Sequence, residues 1–212
     1  MKKNIFNLFT IVALGIAIIG CKKKADEATT TEADNVAEAQ ADAVKYIANV
    51  AESTIEWQGF KPTGTHKGTI NIESGTLSMN GSTLESGTFL IDMNSIEESE
   101  NNERLEGHLK SPDFFDVAKY PSAAFEITGL ATTDGKTMLS GNLTLKDAKN
   151  NVTFPVTVSE NGDNVTLSSE VFTIDRSKWN VQYGSKSFFD NLGDKFINDD
   201  IELKITIKAK KS

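Results

Sequence analysis

The side chains that could do chemistry are few, and histidine is the scarcest of the catalytic types. The chain of 212 residues has two histidines, His66 and His108. His108 lies shortly before Asp113 and Asp116, so a hydrolase-like histidine–carboxylate pair is one interpretation of this segment. Two histidines without a cysteine cluster are too few ligands for a metal site. No Ser-His-Asp order, glycine-rich phosphate loop or pair of carboxylates supports catalysis, so we predict neither an enzyme nor a cofactor or metal site.

The charge of the chain excludes one class of partner. There are 22 basic and 30 acidic residues, which gives a net charge of -8. Proteins that bind nucleic acid usually carry a basic patch or stripe. We therefore predict no nucleic-acid partner.

The N-terminus has the pattern of a secretory signal. Lys2 and Lys3 precede an apolar run from Ile5 to Ile19, which is shorter than the roughly 20 residues that cross a bilayer as a helix. The run ends at Ile18-Ile19-Gly20-Cys21, which resembles a bacterial lipobox. The sequence therefore predicts a signal peptide over 1–20, an acylated Cys21 and a lipid anchor in the cell envelope. We expect the domain to face the periplasm, most plausibly from the outer membrane. The alternative is a signal peptide that happens to contain a cysteine.

The segment after the cysteine is poor in apolar residues. Residues 21–50 are rich in Ala, Thr, Glu and Asp, and such a composition buries too little surface to offset the entropy lost on ordering. We predict a flexible tether here, with at most a weak helix over 36–48.

From Thr54 onwards, apolar residues alternate with polar ones, which is typical of half-buried strands. About eight such runs are separated by hairpin dipeptides such as Asn80-Gly81 and Asp134-Gly135. Eight antiparallel strands with one apolar face make a sandwich or a closed barrel. Pro155 indicates an edge-like site in its strand, and a change of phase near Ser169 indicates a bulge.

One segment of the domain has helical spacing instead. Leu105, His108 and Leu109 share a helical face, and Ser111-Pro112-Asp113 resembles the start of a second short helix. The sequence therefore predicts two short helices inserted between strands. Phe114 and Phe115 lie in this insert and must be buried, either outside the barrel or over one of its mouths.

Four motifs resemble those of the YceI-like, polyisoprenoid-binding family. They are HKGTINIESGTL, FLIDMNSI, HLKSPDFFDVAKYPSAAFEI and FTIDRSKWNVQYG, and the resemblance covers about 53–210. It implies an all-β fold, an eight-stranded antiparallel lipocalin-like barrel over 51–212 whose apolar lumen binds a long isoprenoid chain or quinone without catalysis. KDAKNN, 146–151, departs from the glycine-containing turn that is usual in the family.

The predicted ligand-binding residues follow from the alternating pattern and this resemblance. They are Trp57, Phe89, Ile91, Phe114, Phe115, Phe125, Leu143, Phe154, Phe172, Arg176 and Trp179. Arg176 could reach a phosphate or quinone head group, or it could form a structural ion pair with Asp175, Asp113 or Asp116. The alternative for the whole set is a filled core, which would make the protein an envelope interaction module with an exposed apolar patch.

Overall fold

The computed structural model describes residues 25–212, in which strands predominate. The predicted signal peptide, 1–20, and Cys21 lie outside the described residues. Within 25–212, no helix is both long and apolar enough to cross a membrane. The elements are β1 (Asp26–Glu27), β2 (Thr29–Glu32), β3 (Val44–Ala48), β4 (Thr54–Lys61), β5 (Gly64–Asn80), β6 (Thr83–Glu98), α1 (Glu103–Lys110), β7 (Ser122–Thr133), β8 (Lys136–Leu145), β9 (Ala148–Asn161), β10 (Asn164–Ser169), β11 (Phe172–Asp175), β12 (Asp200–Lys211) and two 3₁₀ turns, Arg176–Trp179 and Gly193–Lys195.

Eight of the strands follow one another in a closed path of antiparallel pairings. The path runs β4–β5–β6–β7–β8–β9–β10–β12 and returns from β12 to β4. We call these eight strands the ring. Because every strand of the ring has a neighbour on both sides, the path leaves few unpaired edges.

The all-β prediction is confirmed, but the predicted count of eight strands is wrong, because the described residues form twelve. One extra strand arises where the sequence changes phase: β10 ends at Ser169 and β11 begins at Phe172. Ser169 Oγ accepts a hydrogen bond from the amide of Ile205 at this break. Pro155 lies where the neighbour of β9 changes from β2 to β10, which is a position that tolerates a missing N–H donor.

The other three extra strands lie in the segment predicted to be a flexible tether, and residues 25–48 differ from that prediction. β1 pairs with β11, β2 pairs with 150–153 of β9, and β3 pairs with both β5 and β12. Between β2 and β3, the amide of Ala37 donates to the Ile127 carbonyl. Backbone hydrogen bonding to open strand edges orders this segment despite its low apolar content. We call residues 25–48 the strap. The helix predicted over 36–48 is also wrong, since 44–48 are a strand.

Four connections meet at one end of the ring: the β4–β5 turn, the β6–β7 insert, the β8–β9 turn and the 176–199 loop. The insert contains one α-helix, whose first turn is capped by Asn102 Oδ1 accepting from the amide of Leu105 at 3.1 Å. The predicted second helix is wrong: residues after Ser111 form turns, and Asp116 has φ of 50°, a left-handed conformation that interrupts a helix.

Lys146 holds this end of the ring together. It occupies the β8–β9 turn with φ of 55°, a left-handed conformation that favours glycine. Its Nζ donates to the carbonyls of Phe114 at 3.0 Å and Asn180 at 3.2 Å. The departure seen in the sequence thus places a cation between the insert and the 176–199 loop.

Candidate functional site

An apolar cavity lies at the end of the ring where the four connections meet. The volume within which the centre of a water molecule fits is about 140 Å³. This is roughly ten times the volume, measured in the same way, that one buried water molecule needs. Eighteen of its lining residues are apolar: Ile55, Trp57, Phe60, Ile70, Ile91, Met93, Ile96, Leu105, Leu109, Phe114, Phe115, Ala123, Leu143, Leu145, Ile174, Ile197, Ile201 and Leu203. The remaining positions are Gly59, Lys61, His66, His108, Arg176 and Asn198.

The predicted ligand-binding residues divide into two groups. Six line the cavity, and the other five lie outside its wall. The first group is Trp57, Ile91, Phe114, Phe115, Leu143 and Arg176, and the second is Phe89, Phe125, Phe154, Phe172 and Trp179. Four members of the second group are buried, and the fifth, Phe125, is half-buried and packs against the core.

Four of the five outside residues are phenylalanines, and the rings of three of them, Phe125, Phe154 and Phe172, contact one another. Phe154 stacks on Phe172 with ring centroids 4.1 Å apart, and Phe125 lies 5.9 Å from Phe154. Two glycines make room for the rings: a Cβ on Gly75 would lie 2.3 Å from Phe89, and one on Gly141 would lie 2.2 Å from Phe125. These rings therefore have fixed places in the core.

Trp179 has a structural position. It is fully buried, and its Nε1 donates to the carbonyl of Leu143 at 2.9 Å. This hydrogen bond joins the first 3₁₀ turn to β8. Because Leu143 lines the cavity, Trp179 supports the wall from behind.

Phe114 and Phe115 close the cavity at the connected end. Their exposed fractions are 5% and 9%, and their rings lie 4.9 Å apart at a steep angle. His108 of α1 packs edge-on against Phe114 at 6.1 Å and against Tyr183 of the 176–199 loop at 4.5 Å. The sequence left two places open for this phenylalanine pair, outside the barrel or over one of its mouths. In the structure the pair lies over the end of the ring.

Arg176 lines the cavity, but its guanidinium donates its hydrogen bonds to backbone carbonyls of the neighbouring loop. Its side chain is fully buried and donates to the carbonyls of Asn198, Val181, Tyr183 and Ile197. Its ion-pair partner is Asp199, at 3.3 Å, rather than the three aspartates considered from sequence. Burial lowers the pKa of Arg176, while Asp199 and Asp175 oppose the shift. Arginine nevertheless stays charged, and its guanidinium carbon lies 5.2 Å from the Phe114 ring centroid.

His66 lines the cavity, and its ring lies beside Glu98, which is buried outside the cavity wall. His66 Nδ1 lies 3.5 Å from Oε1 of the buried Glu98. Burial alone would raise the pKa of Glu98, but hydrogen bonds from the amides of Glu100 and Asn102, together with His66, hold it below its ordinary value. Glu98 therefore connects the end of β6 to the start of α1 as a carboxylate.

Trp57 lines the cavity and carries a buried donor that is not used by the described residues. Its Nε1 is buried and has no hydrogen-bond partner among residues 25–212. A buried donor that is left unpaired costs free energy, so an acceptor placed beside it would be favoured. The alternating pattern of β4 predicted that Trp57 faces the interior, but it could not predict this unused donor.

Several lining residues were missed from sequence. Met93, Ile201 and Leu203 continue the period-two pattern of β6 and β12, and that signal was sufficient to find them. Ile197 and Asn198 come from the 176–199 loop, which has no periodicity. Only their position in the fold reveals them.

The described residues offer little for catalysis. His108 has ring contacts with Phe114 and Tyr183, and within 25–212 no hydrogen bond joins it to Asp113 or Asp116. Nor does this part of the chain bring together three or more His, Cys, Asp or Glu side chains that could hold a metal ion. The arrangement is suited to enclosing an apolar group.

A ring of strands around an apolar cavity defines the class as an all-β protein with an enclosed apolar site. Residues 46–209 match the YceI-like domain, and the chain therefore belongs to the YceI-like family. The segment matched to curated relatives spans only about half of their length. A UPF0312 protein of Azotobacter vinelandii is 32% identical over 93 residues, which are 43% of this chain and 46% of the relative. A UPF0312 protein of Pseudomonas putida is 31% identical over 96 residues, 45% of this chain and 50% of the relative.

Solved structures share the fold over a longer region. BcnA of Burkholderia cenocepacia superimposes with a TM-score of 0.63 and 25% identity, covering 77% of this chain and 99% of that one. A polyisoprenoid binding domain from Saccharophagus degradans, described as implicated in plant cell wall breakdown, has a TM-score of 0.59. At 13% identity, and covering 80% of this chain and 99% of its own, it supports the fold alone.

Proposed function

We propose that this protein binds the apolar chain of an isoprenoid lipid or isoprenoid quinone, or of a similar amphiphile, without catalysing a reaction on it. The observation that carries the proposal is the cavity, of whose 24 lining residues eighteen are apolar. Burying apolar surface contributes roughly 25 cal/mol per Å² before the costs of association. An isoprenoid tail presents almost only such surface.

The chemical class of the ligand is taken from the description of one structural neighbour. That neighbour is described as a polyisoprenoid binding domain, and this chain carries a YceI-like domain over 46–209. The finer architecture belongs to the same proposal: the closed path of eight antiparallel strands is a lipocalin-like barrel, and the cavity is its lumen.

The place of action is a further part of the proposal. The lipobox-like Ile18-Ile19-Gly20-Cys21 supports removal of 1–20 and acylation of Cys21. Two or more acyl chains anchor a protein stably in a membrane. We therefore propose that the protein works at the bacterial cell envelope, facing the periplasm from the outer membrane.

Native mass spectrometry tests the proposed function directly. The full chain is released from phosphatidylcholine nanodiscs, and the same sample is extracted for lipid analysis. A one-to-one adduct that extracts as a prenyl compound is the expected result. A bare protein mass, unchanged after incubation with isoprenoid quinones, would contradict the proposal.

An interaction module is the second candidate function, and one observation favours it. Tyr183, Phe188 and Phe189 are 45%, 46% and 48% exposed on the 176–199 loop, and exposed aromatic groups are common in protein interfaces. This candidate predicts that Phe188→Ser with Phe189→Ser leaves ligand uptake intact but abolishes binding to an envelope protein. Loss of uptake alone would assign the loop to the cavity instead.

A further inference from the structure

On three strands, the residue that follows the last cavity-lining residue on the same face is a phenylalanine. On β6, Ile91 lines the cavity, and Phe89, the next residue on that face, does not. On β7 and β11, Ala123 and Ile174 line it, while Phe125 and Phe172 lie one step further in. Because residues two apart share a face of a strand, each of these phenylalanines is the first interior side chain beyond the open space.

A fourth phenylalanine, Phe154 of β9, joins them. Its ring contacts those of Phe125 and Phe172, and its exposed fraction is 2%. We call Phe89, Phe125, Phe154 and Phe172 the phenylalanine floor. Gly75 and Gly141 seat Phe89 and Phe125 so closely that a Cβ would clash with their rings, which fixes the positions of these two rings, Phe89 buried and Phe125 half-buried against the core.

The distance from the floor to the connected end follows from strand geometry. On β6 the lining residues run from Ile91 to Ile96, five steps of about 3.3 Å each. A tilt of roughly 40° reduces this length to a depth of about 13 Å. Carbon–carbon bonds of about 1.5 Å make an extended isoprene unit, with four carbons along the chain, about 5 Å long.

We propose that the phenylalanine floor limits the enclosed part of the ligand to about two to three isoprene units. This inference rests on the proposed function and specifies how many isoprene units of the ligand contribute to binding. Any further units of a longer tail project from the connected end and gain no burial from the cavity. Phe89, Phe125, Phe154 and Phe172 are then specificity-determining residues, although none of them lines the cavity.

A chain-length series tests this limit on the unmodified protein. The full chain in phosphatidylcholine nanodiscs is titrated with prenyl diphosphates of one to five isoprene units, which share one head group, and binding is followed by the fluorescence of Trp57. We expect affinity to rise about tenfold or more per unit up to about three units and then to stay constant. A continued rise through five units, or no dependence on length, would overturn the inference. If no prenyl compound binds, the proposed function fails and the inference falls with it.

Opening the floor should move the limit. Phe154→Ala removes the ring that contacts two others, so the length at which affinity stops rising should increase by about one unit. Phe188→Ala is the matched control, because its ring is 46% exposed on the 176–199 loop, and it should leave the limit unchanged. Phe154→Leu repeats the test with a smaller cavity should the alanine variant not fold. A limit that is identical in the wild type and in the folded floor variant would show that the floor does not set it.

Discussion

At the scale of single residues, Arg176 is the most constrained charge of the described chain. It is fully buried, donates to four backbone carbonyls and pairs with Asp199. The carbonyls belong to residues 181–198, so one side chain orders the loop that supplies Ile197 and Asn198 to the cavity. Removing one partner of a buried pair leaves the other groups unsatisfied.

We therefore expect Arg176→Met to lower the free energy of unfolding by about 3–5 kcal/mol, measured by urea denaturation. Lys178→Met is the matched control in the same 3₁₀ turn. Lys178 is more than a third exposed and pairs with Glu27 at 3.4 Å, so its loss should cost less than about 1 kcal/mol. Equal losses in the two variants would show that Arg176 does not organise the loop.

Glu98 predicts a dependence of stability on acid. Its folded pKa lies below its ordinary value of 4.5, so its contribution is fully present above the ordinary pKa. The contribution is lost as the pH falls through the lowered folded pKa. Glu98→Gln should therefore reduce Tm near neutral pH, and the difference from the wild type should shrink as the pH falls below about 4.5.

Circular dichroism melts between about pH 3 and 7 measure this difference across the range over which carboxylates titrate. Glu97→Gln is the control, because Glu97 is exposed on the same strand, and its curve should follow that of the wild type. A constant difference between Glu98→Gln and the wild type would mean that the carboxylate charge is not what stabilises this corner.

At the scale of elements, the strap completes the sheet where the ring is interrupted. β10 does not reach residues 150–153 of β9, whose only ring neighbour is β8, and β2 pairs with them on the other side, while β1 pairs with β11. Beyond β2, the buried amide of Asn142 exchanges two hydrogen bonds with the backbone of Asp34, at 2.9 and 2.7 Å. The strap therefore satisfies backbone and side-chain groups that would otherwise be buried without partners.

We expect Ala28→Asp to detach the first part of the strap, because Ala28 is 4% exposed and a buried, unpaired carboxylate is costly. Hydrogen exchange at the amides of 150–153 should become at least tenfold faster, which corresponds to about 1.4 kcal/mol. Ala33→Asp, at an exposed position of the same segment, should leave these amides protected. Unchanged protection in Ala28→Asp would show that β9 does not depend on the strap.

The strap also shows where the sequence ceases to be informative. Alternating apolar residues predicted the strands of the ring, the break near Ser169 and the first helix of the insert, because side-chain burial creates those patterns. β1 and β2 are held by backbone pairing, which leaves no pattern in a segment of Ala, Thr and Glu. The sequence could not predict the phenylalanine floor for another reason. Alternation tells that Phe89 and Ile91 share one face of a strand, but not how deep in the ring each of them lies.

At the scale of the whole molecule, the packed interior and the cavity share one continuous set of inward-facing side chains. The depth in the ring at which packed side chains end and the cavity begins determines the size of the ligand that the protein can enclose. Leu143 lies on the open side of this boundary and is partly buried, whereas Leu139 of the same strand is 1% exposed.

Leu143→Trp should therefore fill the cavity and abolish ligand uptake while the protein stays folded, since the added bulk enters open space rather than a packed core. Native mass spectrometry measures the bound fraction, and circular dichroism confirms folding. Leu90→Trp is the control, because Leu90 is 38% exposed on β6, and it should bind ligand as the wild type does. Full stoichiometry in Leu143→Trp would place the ligand elsewhere.

The position of the strap limits how far the domain can lie from the membrane. Because the described residues start at Ala25 and β1 at Asp26, four peptide units separate Ala25 from Cys21. Whatever their conformation, four units span at most about 14 Å. If Cys21 is acylated as proposed, the domain stays close to the surface of the bilayer. It would exchange molecules with the membrane that anchors it, and it could not ferry them across an aqueous gap to a second one.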